Sequence, residues 1–251
     1  MTREEPEPEF PGHAPDSLYA TPRGTGQFRF DAEVADVFQD MVERSVPGYA
    51  SLIHGIAVLG GKYAQAGATC YDLGCSLGTA ARALSARMGP EHPVLAIDSS
   101  PDMIAHCTRV PHSSVQYRCA DIREVALETA DVVVLNLTLQ FLPPEDRLPL
   151  LRRIAEALRP GGALILTEKV RFDDPGEALM QKRYESFKRA QGYSELEISQ
   201  KRTALEQVLV RDSSAAHRER LAAAGFDSIT PWFQCLHFTS LLAIRRNAKP
   251  A

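Results

Sequence analysis

Five short apolar segments, separated by helical patterns, restrict the possible folds of this 251-residue chain more than any other feature. They are ATCYDLG (68–74), PVLAID (93–98), VQYRCAD (115–121), ADVVVLNLTL (130–139) and ALILTEKV (163–170). The last helical pattern between them, EDRLPLLRRIAEALRPGG, closes on Gly161-Gly162, where glycine commonly terminates a helix. Strands that alternate with helices form a mainly parallel sheet covered on both faces. We therefore predict an α/β, doubly wound fold.

The segments on either side of this alternation have different patterns. Residues 1–26 are rich in proline, glycine and glutamate without an apolar period, which predicts a flexible leader. Helical spacing begins behind Asp31 as an N-cap and continues to about Ser45, and a second helical stretch begins at Tyr49. After the fifth strand a charged, helix-forming insertion covers about 172–212, followed by a helix and two final strands. We predict one domain over 27–251.

Composition limits the classes of function. The formal charge is −4, with 28 Lys+Arg against 32 Asp+Glu, which gives no general electrostatic reason to bind nucleic acid. Residues 182–189 (KRYESFKR) are interpreted as a solvated helix face, so no direct tRNA binding is expected. The longest apolar runs are shorter than the roughly 20 residues that a membrane helix needs, which predicts no membrane association.

Localisation follows from the N-terminus and the cysteines. The segment MTREEPEPEFPGHAP has acid and proline where a secretory signal has basic and then apolar residues, so we expect a cytoplasmic protein. The five cysteines form no CxxC pair in a chain large enough to fold without disulfides. We interpret them as reduced thiols, most of them buried.

Several polar or glycine residues follow predicted strands. Gly74 and Gly78 lie where the first strand turns into its helix, and glycine there allows close approach of the backbone to a ligand. Asp98 ends the second strand, where a carboxylate can accept both ribose hydroxyls. Asp121 can accept an adenine amino hydrogen, although a loop or capping role is an alternative, and Asn136 can enter the same cleft or bond only within the sheet. Together these residues favour a nucleoside site.

The motif D-L-G-C-S-L-G resembles the first motif of Rossmann-like S-adenosylmethionine (SAM) methyltransferases more than the dinucleotide fingerprint, because its glycines are spaced G-x-x-x-G. The fourth strand ends in N-L-T-L-Q and lacks the N-P-P-Y type of sequence associated with methylation of base amino groups. No Pro-Cys nucleophile is present there, and Cys75 is interpreted mainly as a small packed residue.

The resemblance extends far beyond this loop. The segments RSVPGY (44–49), YDLGCSLG (71–78), VVLNLTLQFL (133–142), PGGALILTEK (160–169), GYSELEISQKR (192–202) and WFQC (232–235) together resemble the carboxy-S-adenosyl-L-methionine synthase family. The similarity covers about residues 28–246, and GYSELEISQKR is its most specific part. It implies a Rossmann-like SAM-methyltransferase fold with an antiparallel terminal strand and a helical insertion.

The resemblance also implies which residues bind SAM and the carboxylated product. It places nine residues around SAM: Tyr49, Gly74, Cys75, Ser76, Asp98, Ser99, Asp121, Ile122 and Asn136. It implies that Arg202 is the catalytic residue that holds the carboxylate of the carboxylated product, because guanidinium offers a planar two-point partner. No metal is expected.

The reaction implied by the resemblance converts SAM and prephenate to carboxy-SAM and phenylpyruvate. Carboxy-SAM then serves as the donor for the 5-oxyacetyl group on the wobble uridine of tRNA. A homodimer is implied, and a contact with the tRNA carboxymethyltransferase that uses the product is a further expectation.

Alternatives remain open for the whole protein and for its insertion. The first alternative function is a SAM-dependent methyltransferase of a small molecule or RNA, and the second is a SAM-binding protein or scaffold without turnover. The insertion either forms a lid, with Tyr193 and Arg202 projecting inward, or is a solvated helical pair that serves dimerisation. Both roles are compatible with each other.

Overall fold

The computed structural model describes residues 14–22, 28–65, 67, 69–109, 112–206 and 208–246. Its central element is a seven-stranded sheet. The strands are β1 (Thr69–Leu73), β2 (Val94–Asp98), β3 (Val115–Cys119), β4 (Ala130–Asn136), β5 (Leu158–Lys169), β6 (Phe226–Cys235) and β7 (Phe238–Arg245). Their order is β3-β2-β1-β4-β5-β7-β6, and β7 runs antiparallel to both of its neighbours. The predicted mainly parallel sheet with an antiparallel terminal strand is confirmed.

Eight helices surround the sheet within the described residues. They are α1 (Ala32–Ser45), α2 (Tyr49–Tyr63), α3 (Thr79–Met88), α4 (Pro101–Thr108), α5 (Pro144–Ala157), α6 (Gly176–Ala190), α7 (Glu195–Glu206) and α8 (Ser214–Ala224). Asp31 caps α1, as predicted, because its side chain accepts a hydrogen bond from Val34 N. Helices α6 and α7 form the predicted insertion. None of the described helices is long and apolar enough to cross a membrane.

Strand β4 shows why the sheet is covered on both sides. All but the last of its residues are buried, and successive side chains point to opposite faces. Val133 and Leu135 pack in a core with residues of α5 and α8, whereas Val132 and Val134 pack in a second core with residues of α2 and α3. The uninterrupted apolar sequence is therefore a consequence of burial on two faces.

Two predictions of local structure were wrong. Helix α5 ends at Ala157, so Gly161-Gly162 lies inside β5 and does not terminate the helix. The pairing of β5 with β4 moves from Leu158 directly to Ala163, and a Cβ at Gly162 would lie 2.9 Å from the carbonyl oxygen of Arg159. Close backbone approach within this irregular part of the strand therefore explains the glycine.

The second correction concerns the predicted leader. Residues 1–13 and 23–27 lie outside the described part of the chain, but residues 14–22 pack on the domain. Asp16 is 3% exposed and accepts a hydrogen bond from the Tyr193 hydroxyl at 2.5 Å. Its carboxylate also pairs with Lys201 at 3.2 Å. Tertiary contacts with α7 therefore hold a segment whose own composition contains no sign of structure.

Candidate active site

The loop between β1 and α3 is held open by its glycines and by backbone hydrogen bonds. Gly74 has φ +76°, and a Cβ there would lie 2.2 Å from Thr138 Cγ2, which only glycine avoids. Gly74 N and Cys75 N both donate to the carbonyl oxygen of Ile97, at 2.7 and 3.0 Å. The start of α3 therefore faces the carboxyl edge of the sheet, where ligands of open α/β sheets bind.

Asp98 fixes this loop to the end of β2. Its Oδ2 accepts from Ser76 N and its Oδ1 accepts from Ser100 N, each at 2.9 Å. Burial raises the pKa of the Asp98 carboxyl, and these hydrogen bonds oppose that increase. A carboxylate has about four acceptor positions, so Asp98 retains capacity for ligand hydroxyls.

Asp121 and Ile122 follow β3 at the same edge. Ile122 is buried, whereas Asp121 forms an ion pair with Arg123 at 2.6 Å. The side-chain hydrogen bonds from Arg123 hold the pKa of Asp121 below its usual value. Arg123 N also donates to Asp121 Oδ1 at 2.8 Å. The loop role that the sequence analysis gave as an alternative for Asp121 is therefore present, because Arg123 makes four hydrogen bonds to its two carboxylate oxygens.

Two adjoining cavities collect most of the predicted site residues. The central cavity lies between the β1–α3 loop, α1 and the insertion, and the strand-end cavity lies over the ends of β2 and β3. Gly74 and Ser76 line both. The remaining members divide between the two: Tyr49, Cys75 and Asn136 line the central cavity, and Asp98, Ser99, Asp121 and Ile122 line the strand-end cavity.

Aromatic side chains that the sequence analysis did not assign to the site form a wall of both cavities. Phe28, Phe30 and Phe141 line each of them. The ring of Phe30 packs edge to face against Phe28 at 5.1 Å and against Phe141 at 5.2 Å between centroids. The segment that precedes α1 therefore covers both cavities, although its sequence indicates no strand or helix.

One buried carboxylate oxygen and one buried amide oxygen at the central cavity have no hydrogen-bond partner in the described structure. They are Asp72 Oδ1 and Asn136 Oδ1. Asp72 Oδ2 is satisfied by Ala81 N at 3.0 Å. Burial raises the pKa of Asp72 to about 7. Because unsatisfied buried acceptors are unfavourable, the pair indicates a ligand that brings donors or positive charge.

Arg202 does not line either of these cavities. Its side chain is 47% exposed and pairs with Glu185 at 2.8 Å. It borders a third space, here called the insertion cavity, which lies between α6, α7 and the end of β5. Tyr193 lines none of the three cavities, because its hydroxyl lies in the buried contact with Asp16 and Lys201. Tyr193 therefore does not project into these cavities as the lid alternative for the insertion describes.

Two lysines that the sequence analysis did not single out line these cavities. Lys169 ends β5 and lines both the central and the insertion cavity, and Lys188 lines the insertion cavity. Both ammonium groups lie over the ring of Tyr184, 4.3 and 4.7 Å from its centroid. A lysine directly after an apolar strand was the available signal for Lys169. Helical spacing alone does not distinguish Lys188 from its exposed neighbours.

The fold and the loop define the class of protein. Residues 71–162 match the family model described as "Methyltransferase domain". An O-methyltransferase family protein from Burkholderia thailandensis has a similar structure, with a TM-score of 0.65, 19% identity, and coverage of 90% of this chain and 66% of that one. Human N-acetylserotonin methyltransferase in complex with SAM has a TM-score of 0.62 at 17% identity, covering 86% of this chain and 56% of that one. The chain thus has the fold of SAM methyltransferases.

Sequence relatives give the particular family. The carboxy-S-adenosyl-L-methionine synthase of Geobacter metallireducens is 50% identical over 242 residues, which are 93% of this chain and 99% of that protein. The synthase of Marinobacter nauticus is 49% identical over 246 residues, or 94% of this chain and 98% of that protein. The chain belongs to the carboxy-S-adenosyl-L-methionine synthase family, and the predicted family is confirmed.

Proposed function

We propose that this protein synthesises carboxy-SAM from SAM and prephenate, releasing phenylpyruvate. The observation that carries the proposal is the relationship to carboxy-SAM synthases at 45–50% identity over almost the whole chain, insertion included. A methyltransferase fold alone would support transfer of a methyl group equally well. The full-length relationship favours modification of the methyl group of SAM itself.

The cavities contain groups that fit SAM. The strand-end cavity offers Asp98 to ribose hydroxyls and Asp121 with Ile122 to an adenine ring. The central cavity offers the unpartnered oxygens of Asp72 and Asn136, which suit the ammonium of the methionine part. SAM supplies an electrophilic sulfonium whose methyl protons are acidified. The protein positions it and, with Phe28, Phe30 and Phe141, keeps water away.

The proposed reaction balances without a protein base. Prephenate becomes phenylpyruvate when its ring loses carbon dioxide and hydroxide. The hydroxide takes one proton of the methyl group and leaves as water, and the methyl carbon forms its new bond to carbon dioxide. Exclusion of bulk water prevents loss of the carbon dioxide before it is captured. The chain's contribution is therefore binding, orientation and shielding.

The test is incubation of purified protein with SAM and prephenate, followed by mass spectrometry. We expect a product heavier than SAM by the mass of carbon dioxide, together with phenylpyruvate. Formation of S-adenosylhomocysteine with a methylated acceptor would instead establish the methyltransferase alternative. Tight binding of SAM without any product from prephenate would favour a protein that binds without turnover.

The family-implied role of Arg202 stays a prediction. In the described chain its guanidinium is paired with Glu185 and borders the insertion cavity, so contact with the product carboxylate requires a side-chain movement or a site completed by a second subunit. We expect Arg202→Lys to leave SAM affinity in calorimetry nearly unchanged while lowering the rate of carboxy-SAM formation, because lysine lacks the two-point geometry. Wild-type rates in this variant would remove Arg202 from that role.

Four wider expectations belong to the same proposal. Carboxy-SAM would supply the 5-oxyacetyl modification of wobble uridine in tRNA, in the cytoplasm. The enzyme would act as a homodimer and transfer its product to a tRNA carboxymethyltransferase. Sedimentation velocity tests for the homodimer. A pull-down with the purified tRNA carboxymethyltransferase tests for the contact with that enzyme.

A further inference from the structure

The ring of Tyr184 separates the central cavity from the insertion cavity, and two lysines converge on it. Lys169 reaches the ring from the end of β5, and Lys188 reaches it from the next turn of α6. Lys188 is only 5% exposed. Among the described residues, neither ammonium lies within ion-pair distance of a carboxylate, whereas buried lysines are normally paired.

The carboxylates nearest to these lysines are already engaged with other cations. Glu177 pairs with Arg211 at 2.7 Å and approaches His237 at 3.5 Å. Glu185 pairs with Arg202, and Glu206 lies 3.9 Å from the same guanidinium. Asp174 is the remaining acidic residue that lines the insertion cavity. The two arginines are thus paired, whereas neither lysine has an ion-pair partner of its own among the described residues.

Desolvation acts on both lysines in the same direction. Burial lowers the pKa of each to about 7, and neighbouring cations add to the effect. For Lys188 these cations are Lys201, Lys169 and Arg202, opposed by Glu185. Each ammonium group in such surroundings is stabilised by a carboxylate that binds next to it. The apolar side chains of Leu205 and Leu209, which line both cavities, complete a site suited to an anion with a hydrocarbon ring.

We propose that Lys169 and Lys188 bind the two carboxylates of the co-substrate, with the ring of Tyr184 between them. The inference rests on the proposed function and identifies where its dicarboxylate substrate lies. Lys169 borders the central cavity, so it would hold the carboxylate that is released as carbon dioxide next to SAM. Lys188 borders only the insertion cavity, so it would hold the carboxylate that remains in phenylpyruvate.

Lys188→Met tests this assignment, with Lys182→Met as the matched control because Lys182 is an exposed lysine on the same helix. We expect Lys188→Met to raise the KM for prephenate about 10- to 100-fold, the effect of losing one charged hydrogen bond. The KM for SAM should stay within about twofold of wild type, and phenylpyruvate should inhibit correspondingly less. Lys182→Met should behave as wild type. Lys188→Gln provides a second variant that also lacks the charge.

The outcomes separate this inference from the proposed function. If wild type forms carboxy-SAM and both Lys188 variants keep its KM for prephenate, the lysine site is wrong and the function stands. If wild type forms no carboxy-SAM, the proposed function fails, and calorimetry with prephenate on the SAM-loaded proteins decides the site alone. Binding by wild type that is lost in Lys188→Met and Lys169→Met would support the site. Equal binding of prephenate by wild type and both variants, or no binding by wild type, would overturn the lysine site.

Discussion

At the scale of single residues, Asp72 and Asn136 show how an unsatisfied group indicates a ligand. Each has a buried side-chain oxygen at the central cavity without a partner in the described structure. Native proteins satisfy most such atoms, so two unsatisfied acceptors at the same cavity indicate a ligand there. The sequence identified Asn136, which directly follows an apolar strand. It left Asp72 as part of a motif, because only the structure shows which of its oxygens is already occupied by Ala81 N.

We expect Asp72→Asn to lower SAM affinity by about 1.5 to 3 kcal/mol, the contribution of a hydrogen bond to a charged group. The amide oxygen can still accept from Ala81 N, but the carboxylate charge opposite the methionine ammonium is lost. Calorimetry measures the change. Methylthioadenosine, which lacks the amino-acid part, is the control and should bind both proteins equally.

Wild type and Asp72→Asn should also differ in how their SAM affinity depends on pH. Because burial raises the pKa of Asp72 to about 7, lowering the pH through 7 protonates the carboxyl in free wild-type protein and should weaken SAM binding. Asp72→Asn should lack this component. An equal pH dependence in both proteins would show that Asp72 does not face the ammonium.

At the scale of elements, the sequence pattern of α6 and α7 did not predict which of their side chains face the site. The insertion was recognised as helical because of its charge and spacing, and the two helices are confirmed. Their inward faces are not purely apolar, however, since α6 buries Lys188 beside Tyr184 and α7 buries Lys201 beside Ile198 and Ala204. A buried lysine has the same sequence signal as a surface lysine, and only packing distinguishes them.

Lys188→Met should increase the free energy of unfolding by roughly 1 to 4 kcal/mol near pH 7, because it removes a buried charge without a carboxylate partner. With a folded pKa of about 7 and an unfolded pKa of 10.5, Lys188 destabilises fully below pH 7. The gain should therefore diminish as the pH rises from 7 towards 10.5. Urea unfolding at several pH values measures it.

Lys182→Met is again the control, and its unfolding free energy should stay close to that of wild type since Lys182 is exposed. A Lys188→Met protein less stable than wild type at pH 7 would mean that Lys188 has a compensating partner. Greater stability with a raised KM for prephenate would show that a binding group is retained against a cost in stability.

At the scale of the whole molecule, a buried polar cluster joins distant parts of the chain. Lys201 on α7 donates to Asp16 before α1, to Ser45 at the end of α1 and to the Tyr193 hydroxyl, at 3.0–3.3 Å. Lys201 also lines the central cavity. The cluster therefore fastens the N-terminal segment and the insertion together at the edge of the site.

Asp16→Asn should lower the free energy of unfolding by about 3 to 5 kcal/mol, because one partner of a buried ion pair is left without compensation. Hydrogen exchange should become faster in residues 14–22 and in α7, and should change less in β4. Asp36→Asn is the control, since Asp36 is 60% exposed and its ion pair with Arg109 joins two exposed side chains. Unchanged exchange in residues 14–22 would show that Asp16 does not fasten this segment.

The sequence by itself determined the sheet, its two cores and the binding loop. Strand and helix periods are local, and a run such as VVVL in β4 or the glycines after β1 needs no distant residue to be interpreted. The family resemblance carried by GYSELEISQKR is local in the same way, because the motif is one continuous segment. These features depend on residues that are neighbours in the chain.

Only the tertiary structure decided which polar groups are buried and with what partner. Asp16 and Tyr193 are 177 residues apart, and Lys169 and Lys188 meet at Tyr184 from a strand and a helix. Only the structure shows that Arg202, which the family resemblance implies for the product carboxylate, is paired with Glu185 and borders the insertion cavity. Desolvation and charge pairing depend on every surrounding element at once, so no local pattern of residues contains them.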